Sequence, residues 1–249
     1  MLIPPKRQRL TILLLSASLL ATSCAPAAQR ANLVAPETEG ESVPIPELSA
    51  AEQARLAQFA VPKLSLSAEL HILQKYSAID PNHEIPDNLL SAALTYYDAN
   101  LAKIPNKAYL TIVDFKPDSK NSRLFVITMS TGSVWKMHVA HGSGSDPKDT
   151  GLATRFSNVP NSRMSSLGFF LTARIYVGKH GRSLRIDGLS ASNSNVRKRA
   201  IVVHSANYVY DTDVKPGRSS GCFAVSEANK DTLIQEIDGG SLMYAAQSS

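Results

Sequence analysis

The first half of the chain carries apolar residues at helical spacing in three stretches. Ser49 followed by Glu52 is a capping-box pair, which predicts that a helix starts there. Each stretch places its apolar side chains along one stripe, so three helices are predicted, over residues 51–60, 67–78 and 87–103. None of them carries a chemical motif. We therefore predict a helical N-terminal region over residues 49–105 that covers the rest of the domain.

From Tyr109 onwards the apolar residues alternate with polar ones, which is typical of half-buried strands. The predicted strands cover residues 110–115, 123–128, 133–139, 169–177, 183–186, 200–204 and 241–245. Residues 223–225 form a further short apolar piece, and Ser226 caps a predicted helix over residues 227–237. There is no βαβ rhythm. The pattern predicts a mostly-β (α+β) domain over residues 106–249, sandwich-like or barrel-like, with short helices.

The N-terminus has the composition of an export signal. A basic start is followed by a short apolar core over residues 10–20 and by small residues before Cys24. The apolar core is too short to span a membrane. We therefore predict a signal peptide over residues 1–23, followed by a disordered tether over residues 24–48 that is rich in Pro, Ala, Glu and Ser.

The residues before Cys24 resemble a bacterial lipobox, in which the cysteine thiol is lipidated. Ala21 stands where that motif more often has leucine, and an ordinary signal peptide cleaved nearby is the alternative. The resemblance implies an exported protein held at the membrane by a lipid on Cys24. Ala25 is not the aspartate that retains some lipoproteins at the inner membrane, which favours the outer membrane, facing the periplasm.

The charge balance excludes one class of partner. The formal net charge is +5, but without Lys6, Arg7 and Arg9 the 26 basic residues become 23, against 21 acidic ones. Nucleic-acid binding needs a dense basic face, so we expect no nucleic-acid partner.

Cys222 is the strongest candidate for chemistry. The chain has two cysteines, and if Cys24 carries lipid, Cys222 is an unpaired thiol in an oxidising compartment. The apolar run 201–203 ends at His204, and Cys222 follows in a Gly-Arg-Ser-Ser-Gly turn. This places a thiol beside an imidazole at the rim of a sheet. We expect the imidazole to lower the pKa of the thiol from its reference value of about 8.5.

The small residues around Cys222 allow backbone N–H groups to approach a substrate. The amides of Gly221 and Cys222 are candidates for stabilising an oxyanion. A structural cysteine near a packed histidine is the alternative reading. Zinc is disfavoured, because His138 and His141 would point to opposite faces of a strand and no Cys-x-x-Cys pair is present. We expect no metal and no cofactor.

Serine catalysis has little support. Ser-x-x-Lys occurs at residues 133–136 and 145–148, but neither Lys-Thr-Gly nor Gly-x-Ser-x-Gly accompanies it.

Residues 204–208 and 217–225 together resemble the catalytic segment of the L,D-transpeptidases, the YkuD-like enzymes of bacterial cell walls. Further likeness to the murein L,D-transpeptidase catalytic domain branch lies in residues 139–142, 155–158, 165–168 and 176–181. The resemblance covers about residues 109–245. It implies a YkuD-like catalytic domain that acts on peptidoglycan stem peptides.

The resemblance also implies roles for residues. Cys222 would attack the carbonyl before the terminal D-alanine of a tetrapeptide stem and form a thioester, with His204 as base and then acid. The acyl group would pass to an amine, giving a 3→3 cross-link, or to water. The backbone carbonyl of Ser205 would orient the imidazole, Gly221 would contribute its amide, and the substrate-binding residues would be Arg218, Ser219, Ser220 and Tyr208. We expect structural roles for His141 and His180.

Four positions depart from the family pattern. Relatives often have histidine at the position of Ser220, Arg or Asn at Ala224, glycine at Ser205 and proline at Phe223. These positions line the cleft, so the acceptor and the exact stem stay open. The alternatives are an L,D-carboxypeptidase or other murein peptidase, and a non-catalytic wall-binding lipoprotein.

Overall fold

A computed structural model describes residues 46–249. The predicted signal peptide, Cys24 and residues 24–45 of the predicted tether lie outside the described residues, so these predictions stay predictions. Among residues 46–249, no helix is long and apolar enough to cross a membrane.

Three helices form the N-terminal region, as the sequence predicts. They are α1 (Ala50–Leu56), α2 (Leu66–Lys75) and α3 (Asp87–Asn100), and a 3₁₀ turn (Leu101–Lys103) follows α3. The predicted capping box is present, because the Ser49 hydroxyl accepts from the Glu52 amide at 3.2 Å and the Glu52 carboxylate accepts from the Ser49 amide at 2.9 Å.

Helix α1 ends four residues earlier than predicted. Ala60 exchanges two hydrogen bonds with the side chain of Asn100 at the end of α3, at 3.2 and 3.0 Å. A proline also disfavours helical backbone at the residue before it, and Val61 precedes Pro62. The side-chain amide of Asn100 therefore satisfies backbone groups that a longer α1 would have satisfied internally.

The remaining elements of the described residues are eight strands, one α-helix and a second 3₁₀ turn (Ala191–Asn193). The strands are β1 (Tyr109–Asp114), β2 (Leu124–Thr128), β3 (Val134–Met137), β4 (Gly168–Gly178), β5 (Gly181–Gly188), β6 (Val202–Ser205), β7 (Phe223–Val225) and β8 (Leu242–Ala246). The helix is α4 (Glu227–Ile237), between β7 and β8. Within the described residues the strands form one sheet in the order β3-β2-β1-β8-β4-β5-β6-β7.

The two ends of this sheet approach each other. Ala140, three residues after β3, forms an antiparallel bridge with Ala224 of β7, and Gly142 forms a parallel bridge with Ser219. The sheet is thereby nearly closed into a barrel. The prediction of a mostly-β domain with short helices is confirmed, and the barrel form is the one observed.

Two apolar clusters occupy the two sides of the sheet. Strand β1 shows the division, since Val113 belongs to one cluster and the neighbouring Ile112 to the other. The first cluster includes Phe223 and the buried residues of α4, and the second includes the buried residues of α3. Tyr96 of α3 stacks on Phe169 of β4 with ring centroids 3.7 Å apart. The predicted helical cover is thus packed directly against the sheet.

Candidate active site

Strand pairing brings the predicted nucleophile and base to one cleft. Strand β6 pairs in parallel with β7, with His204 opposite Ala224. In continuation of this register Cys222 lies beside Val202, and Val202 and His204 share one face of β6. The thiol and the imidazole both line a cleft of about 320 Å³.

Gly221 makes the turn that presents Cys222. Its φ is +117°, a backbone conformation that residues with a Cβ rarely adopt. A Cβ at this position would lie 2.6 Å from the carbonyl oxygen of Met164 and 2.9 Å from Ile201. Only glycine fits, which explains the glycine that precedes the cysteine.

The imidazole of His204 is held in one tautomer. Its Nδ1 lies 2.6 Å from the backbone carbonyl oxygen of Ser205, so Nδ1 carries the proton and Nε2 keeps its lone pair. The ring of His180, at the tip of the β4–β5 hairpin, stacks on it with centroids 4.2 Å apart. Burial lowers the pKa of His204 to about 4, although the hydrogen bond to Ser205 acts in the opposite direction.

The thiol of Cys222 is half-buried and reachable from the cleft. Sγ lies 3.6 Å from the carbonyl oxygen of Ala200, to which it donates. Burial raises the pKa of this thiol, and a backbone hydrogen bond from Val202 and the charges of Lys179 and Arg199 offset the shift only in part. The direction is opposite to the one expected from the sequence, because burial of both groups disfavours a thiolate–imidazolium pair.

Ser219 fixes the conformation of the loop that carries Cys222. Its hydroxyl accepts from the Gly221 amide at 3.0 Å and donates to the carbonyl oxygen of Cys222 at 2.8 Å. Its amide donates to the carbonyl oxygen of His141 at 2.9 Å. The Gly221 amide is therefore engaged inside the loop, and an oxyanion role for it requires this bond to open.

The other predicted substrate-binding residues also line the cleft. Arg218 is half-buried and donates to the backbone oxygen of Asp146, and its Nε lies 3.3 Å from the Asp149 carboxylate. Its guanidinium thus braces the neighbouring loop. Tyr208 is half-buried and packs on Gly217, while Ser220 is exposed.

Arg199 lines the cleft and was not indicated by the sequence. Its guanidinium makes four hydrogen bonds, all to neutral oxygens. The acceptors are the carbonyl of Ser157 (2.6 Å), the hydroxyl of Ser166 (2.5 Å), the hydroxyl of Ser162 (3.2 Å) and the carbonyl of Met164 (2.5 Å). The positive charge is therefore fixed beside the thiol without a carboxylate partner. A local motif could not have found it, because these acceptors lie 33 to 42 residues away in the chain.

A buried polar cluster lies beside the loop that carries Cys222. Arg123 donates to Nδ1 of His141 at 2.7 Å, and Nε2 of His141 lies 3.5 Å from the Asp146 carboxylate. Burial, with the charge of Arg123, lowers the pKa of His141 to about 4. His138 instead lies 2.9 Å from the carbonyl oxygen of Lys120. No group of three or more His, Cys, Asp or Glu side chains within residues 46–249 could hold a metal ion.

A half-buried thiol and a neutral imidazole of fixed tautomer line one cleft, and in the resting structure the thiol donates to the Ala200 carbonyl oxygen rather than to the imidazole. Thiol-dependent acyl-transfer enzymes combine a thiol with a neighbouring basic nitrogen. The model of the L,D-transpeptidase catalytic domain family, YkuD_2, matches residues 81–246. The chain belongs to this family. The match begins before α3, so it includes that helix as well as the barrel.

Solved structures of similar proteins include members of the same class. The L,D-transpeptidase from Mycobacterium smegmatis is 16% identical over 56% of this chain and 58% of its own, with a TM-score of 0.36. The L,D-transpeptidase from Xylanimonas cellulosilytica is 16% identical over 79% of this chain and 91% of its own, with a TM-score of 0.34. The helical cell shape determining protein Pgp2 from Campylobacter jejuni is 12% identical over 57% and 48%, with a TM-score of 0.35.

This chain spans a little more than half the length of the mycobacterial enzyme, at 58%. All three TM-scores are below 0.5, so family membership rests on the family match alone. No curated protein sequence matches this chain.

Proposed function

We propose that this protein is a cysteine-dependent peptidoglycan L,D-transpeptidase. The observation that carries the proposal is the common cleft of Cys222 and His204, with Nδ1 of the imidazole held by the Ser205 carbonyl. That hydrogen bond leaves Nε2 as the basic nitrogen. Membership of the L,D-transpeptidase family supports a substrate in the cell wall.

In the first step, Cys222 Sγ attacks the carbonyl that joins diaminopimelate to the terminal D-alanine of a tetrapeptide stem. His204 Nε2 takes the thiol proton and then gives it to the leaving nitrogen. The carbon–nitrogen bond breaks, D-alanine leaves and a thioester remains.

In the second step, an amine of another stem attacks the thioester. His204 removes a proton from the amine and returns it to the sulfur as the carbon–sulfur bond breaks. The product is a 3→3 cross-link when the acceptor is an amine, and a shortened stem when it is water.

The resting site supports a general-base mechanism. The lowered pKa of His204, about 4, keeps the imidazole neutral and able to accept a proton at neutral pH. The raised pKa of Cys222 keeps the thiol protonated until a substrate is in place. Proton transfer then accompanies attack, which avoids a reactive thiolate in an oxidising compartment.

We further propose that the protein is exported and held at the membrane by a lipid on Cys24. Outer-membrane anchoring facing the periplasm would place the domain beside peptidoglycan. Mass measurement of the mature protein tests this, because an unmodified cysteine at position 24, or a new N-terminus after it, contradicts lipidation.

The decisive experiment is incubation of wild-type protein and Cys222→Ala with purified tetrapeptide muropeptides, with products read by mass. We expect D-alanine release by wild type and a loss of about 10³-fold or more in the variant, with an unchanged fold by circular dichroism. Cross-linked product indicates transpeptidation, and shortened stems alone indicate a carboxypeptidase. Binding to sacculi without turnover by wild type would instead identify a wall-binding protein.

A further inference from the structure

A second cleft opens beside the catalytic one. It has a volume of about 330 Å³ and is lined by Asn161, Arg163, Arg199 and Ser220. Arg199 and Ser220 also line the catalytic cleft, so the two clefts adjoin at these residues. A long substrate held at Cys222 can therefore continue into the second cleft past the small side chain of Ser220.

The backbone at Arg163 is strained. Its φ angle is +54°, a left-handed conformation that is uncommon for an arginine, whereas the +62° of Asn161 is one that asparagine adopts readily. Strain of this kind persists only where the surroundings enforce it, and it is concentrated at functional sites. Asn161 and Arg163 are also the two residues of the loop that line the second cleft.

The neighbouring segment enforces this conformation. The Gly144 amide donates to the Arg163 carbonyl oxygen at 2.8 Å. A Cβ on Gly142 would lie 2.3 Å from that same oxygen, and one on Gly144 would lie 2.3 Å from the Ser162 carbonyl oxygen. The close approach is possible only because both positions are glycine. The loop is therefore held rigidly in the conformation that brings Arg163 to the cleft.

The charge of this region is uncompensated. Within residues 46–249, the Arg163 side chain makes no hydrogen bond or ion pair, and Arg199 donates only to neutral oxygens. No Asp or Glu of the described chain lines either cleft. A planar guanidinium beside an amide donor suits a planar carboxylate, which can accept two parallel hydrogen bonds.

We propose that this second cleft is a subsite for a free carboxylate of a stem peptide, with Arg163 as the carboxylate-binding residue and Asn161 as an additional donor. The proposal rests on the proposed function and adds a specificity to it. The enzyme prefers stems with a free carboxylate at the position that reaches Arg163 over stems with an amide there. The carboxylate comes from the donor stem or from the acceptor stem.

Paired substrates test the subsite. The donor is a tetrapeptide stem with its second-residue carboxylate either free or amidated, and D-alanine release without an acceptor reports on the donor alone. A transfer reaction with a fixed donor and a free or amidated acceptor stem reports on the acceptor. We expect amidation on one of the two to lower kcat/KM by about 10- to 100-fold, the size of a lost charge-assisted hydrogen bond.

Two variants complete the test. In Arg163→Gln the preference for the free carboxylate should fall below about threefold, because the charged donor is gone. Arg155→Gln is the matched control, since Arg155 is an exposed arginine that lines neither cleft. It should keep the full preference. Equal discrimination by wild type and Arg163→Gln, or no discrimination by wild type in either arm, overturns the subsite.

A binding measurement separates this proposal from the proposed function. Calorimetry with Cys222→Ala gives the dissociation constants of the free and amidated stems without turnover. If wild type releases no D-alanine from any stem, the proposed function fails, and the subsite is then judged by the calorimetric ratio alone. A ratio near one overturns it, and a ratio of about tenfold that Arg163→Gln removes supports it.

Discussion

The arginine-lined cleft beside α1 and the two adjoining clefts at Cys222 differ in how their charges are compensated. The cleft beside α1 has a volume of about 410 Å³, and acidic and basic side chains both line it. Its basic residues are Arg55, Arg174, Arg185 and Arg197, and its acidic residues are Glu47, Glu52 and Asp187. The catalytic cleft and its neighbour have cationic side chains and, among the described residues, no acidic ones.

Arg197 and Arg199 show the difference within three residues of one loop. Arg197 makes a bidentate ion pair with Asp187, at 2.5 and 2.8 Å, and this contact raises the pKa of Arg197. Arg199 has only neutral acceptors, and burial lowers the pKa of Arg199. The electrostatic field of a paired arginine is largely cancelled by its carboxylate partner. The field of an arginine without such a partner acts on the thiol and on substrate. Arg218 also lines the catalytic cleft but resembles Arg197, because a carboxylate, that of Asp149, lies beside its guanidinium.

The largest expected effect is on the free energy of unfolding, when the ion pair between Arg197 and Asp187 is broken. Arg197→Met leaves the carboxylate of Asp187 buried without its partner, and removing one member of a buried pair costs about 3–5 kcal/mol. Urea unfolding measures this loss. The reactivity of Cys222 should stay at the wild-type value, because Arg197 does not line the catalytic cleft.

The double variant Arg197→Met/Asp187→Leu is the control, since it removes both charges. It should recover much of the lost stability. A single variant less than about 1 kcal/mol below wild type would contradict the view of Arg197 as a structural charge.

The next effect concerns Arg199. Arg199→Met removes a fixed cation beside the thiol, so the pKa of Cys222 should rise further and alkylation at a fixed pH should slow by about tenfold. Iodoacetamide labelling followed by mass measurement gives the rate. Arg199→Lys keeps the charge and should recover part of the rate, which loss of the hydrogen bonds alone would not allow. An unchanged pH midpoint for alkylation in Arg199→Met would remove the distinction between the two arginines.

The pH dependence of alkylation in the wild-type protein tests whether Cys222 and His204 are both neutral in the resting state. The pKa of the thiol is raised and that of His204 is lowered to about 4, so the rate should climb only in alkaline solution. A thiolate–imidazolium pair would instead give a reactive plateau that begins in acid. Observation of that plateau would mean that the local cations outweigh burial, and it would restore the expectation drawn from the sequence.

The smallest effect concerns stability and pH. Folded His141 binds a proton near pH 4 and the unfolded chain near 6.5, so between these values protons favour the unfolded state. Its contribution is complete above pH 6.5 and is lost as the pH falls towards 4. His204 has the same shift and loses stability in the same window.

We expect His141→Gln to reduce the loss of unfolding free energy over this window by about 1–2 kcal/mol. Urea titrations at several pH values between 4 and 7 measure the slope. An identical slope in the variant would show that His141 does not resist protonation in the fold.

Local rules account for the parts of the fold that were predicted well. Helix α4 was predicted over residues 227–237 and is observed over Glu227–Ile237, because the Ser226 hydroxyl accepts from the Asn229 amide and sets the start. The end of α1 was predicted less well, since Asn100, forty residues away, replaces its last backbone bonds. The short piece over residues 223–225 forms strand β7 through its pairing with β6 and the bridge between Ala224 and Ala140.

The candidate site shows the same difference between local signals, which the sequence carries, and long-range contacts, which it does not show. The sequence indicated Cys222 and His204 through an apolar run and a glycine turn, both of which are local signals. Arg163 and Arg199 carried no such signal. They line the clefts because a strained backbone at Arg163 and hydrogen bonds from Arg199 to a segment distant in the chain hold them there. The stacking of His180 on His204 likewise requires two strands to meet.

The sequence by itself determined the order of helices and strands, the mostly-β class, the thiol and the imidazole, because periodicity, caps and glycine turns act over a few residues. Tertiary structure alone decided the closure of the barrel, the protonation state of the resting pair and the compensation of each arginine. The physical reason is that desolvation and Coulomb energy depend on every neighbouring atom, and most of those neighbours are distant in the chain.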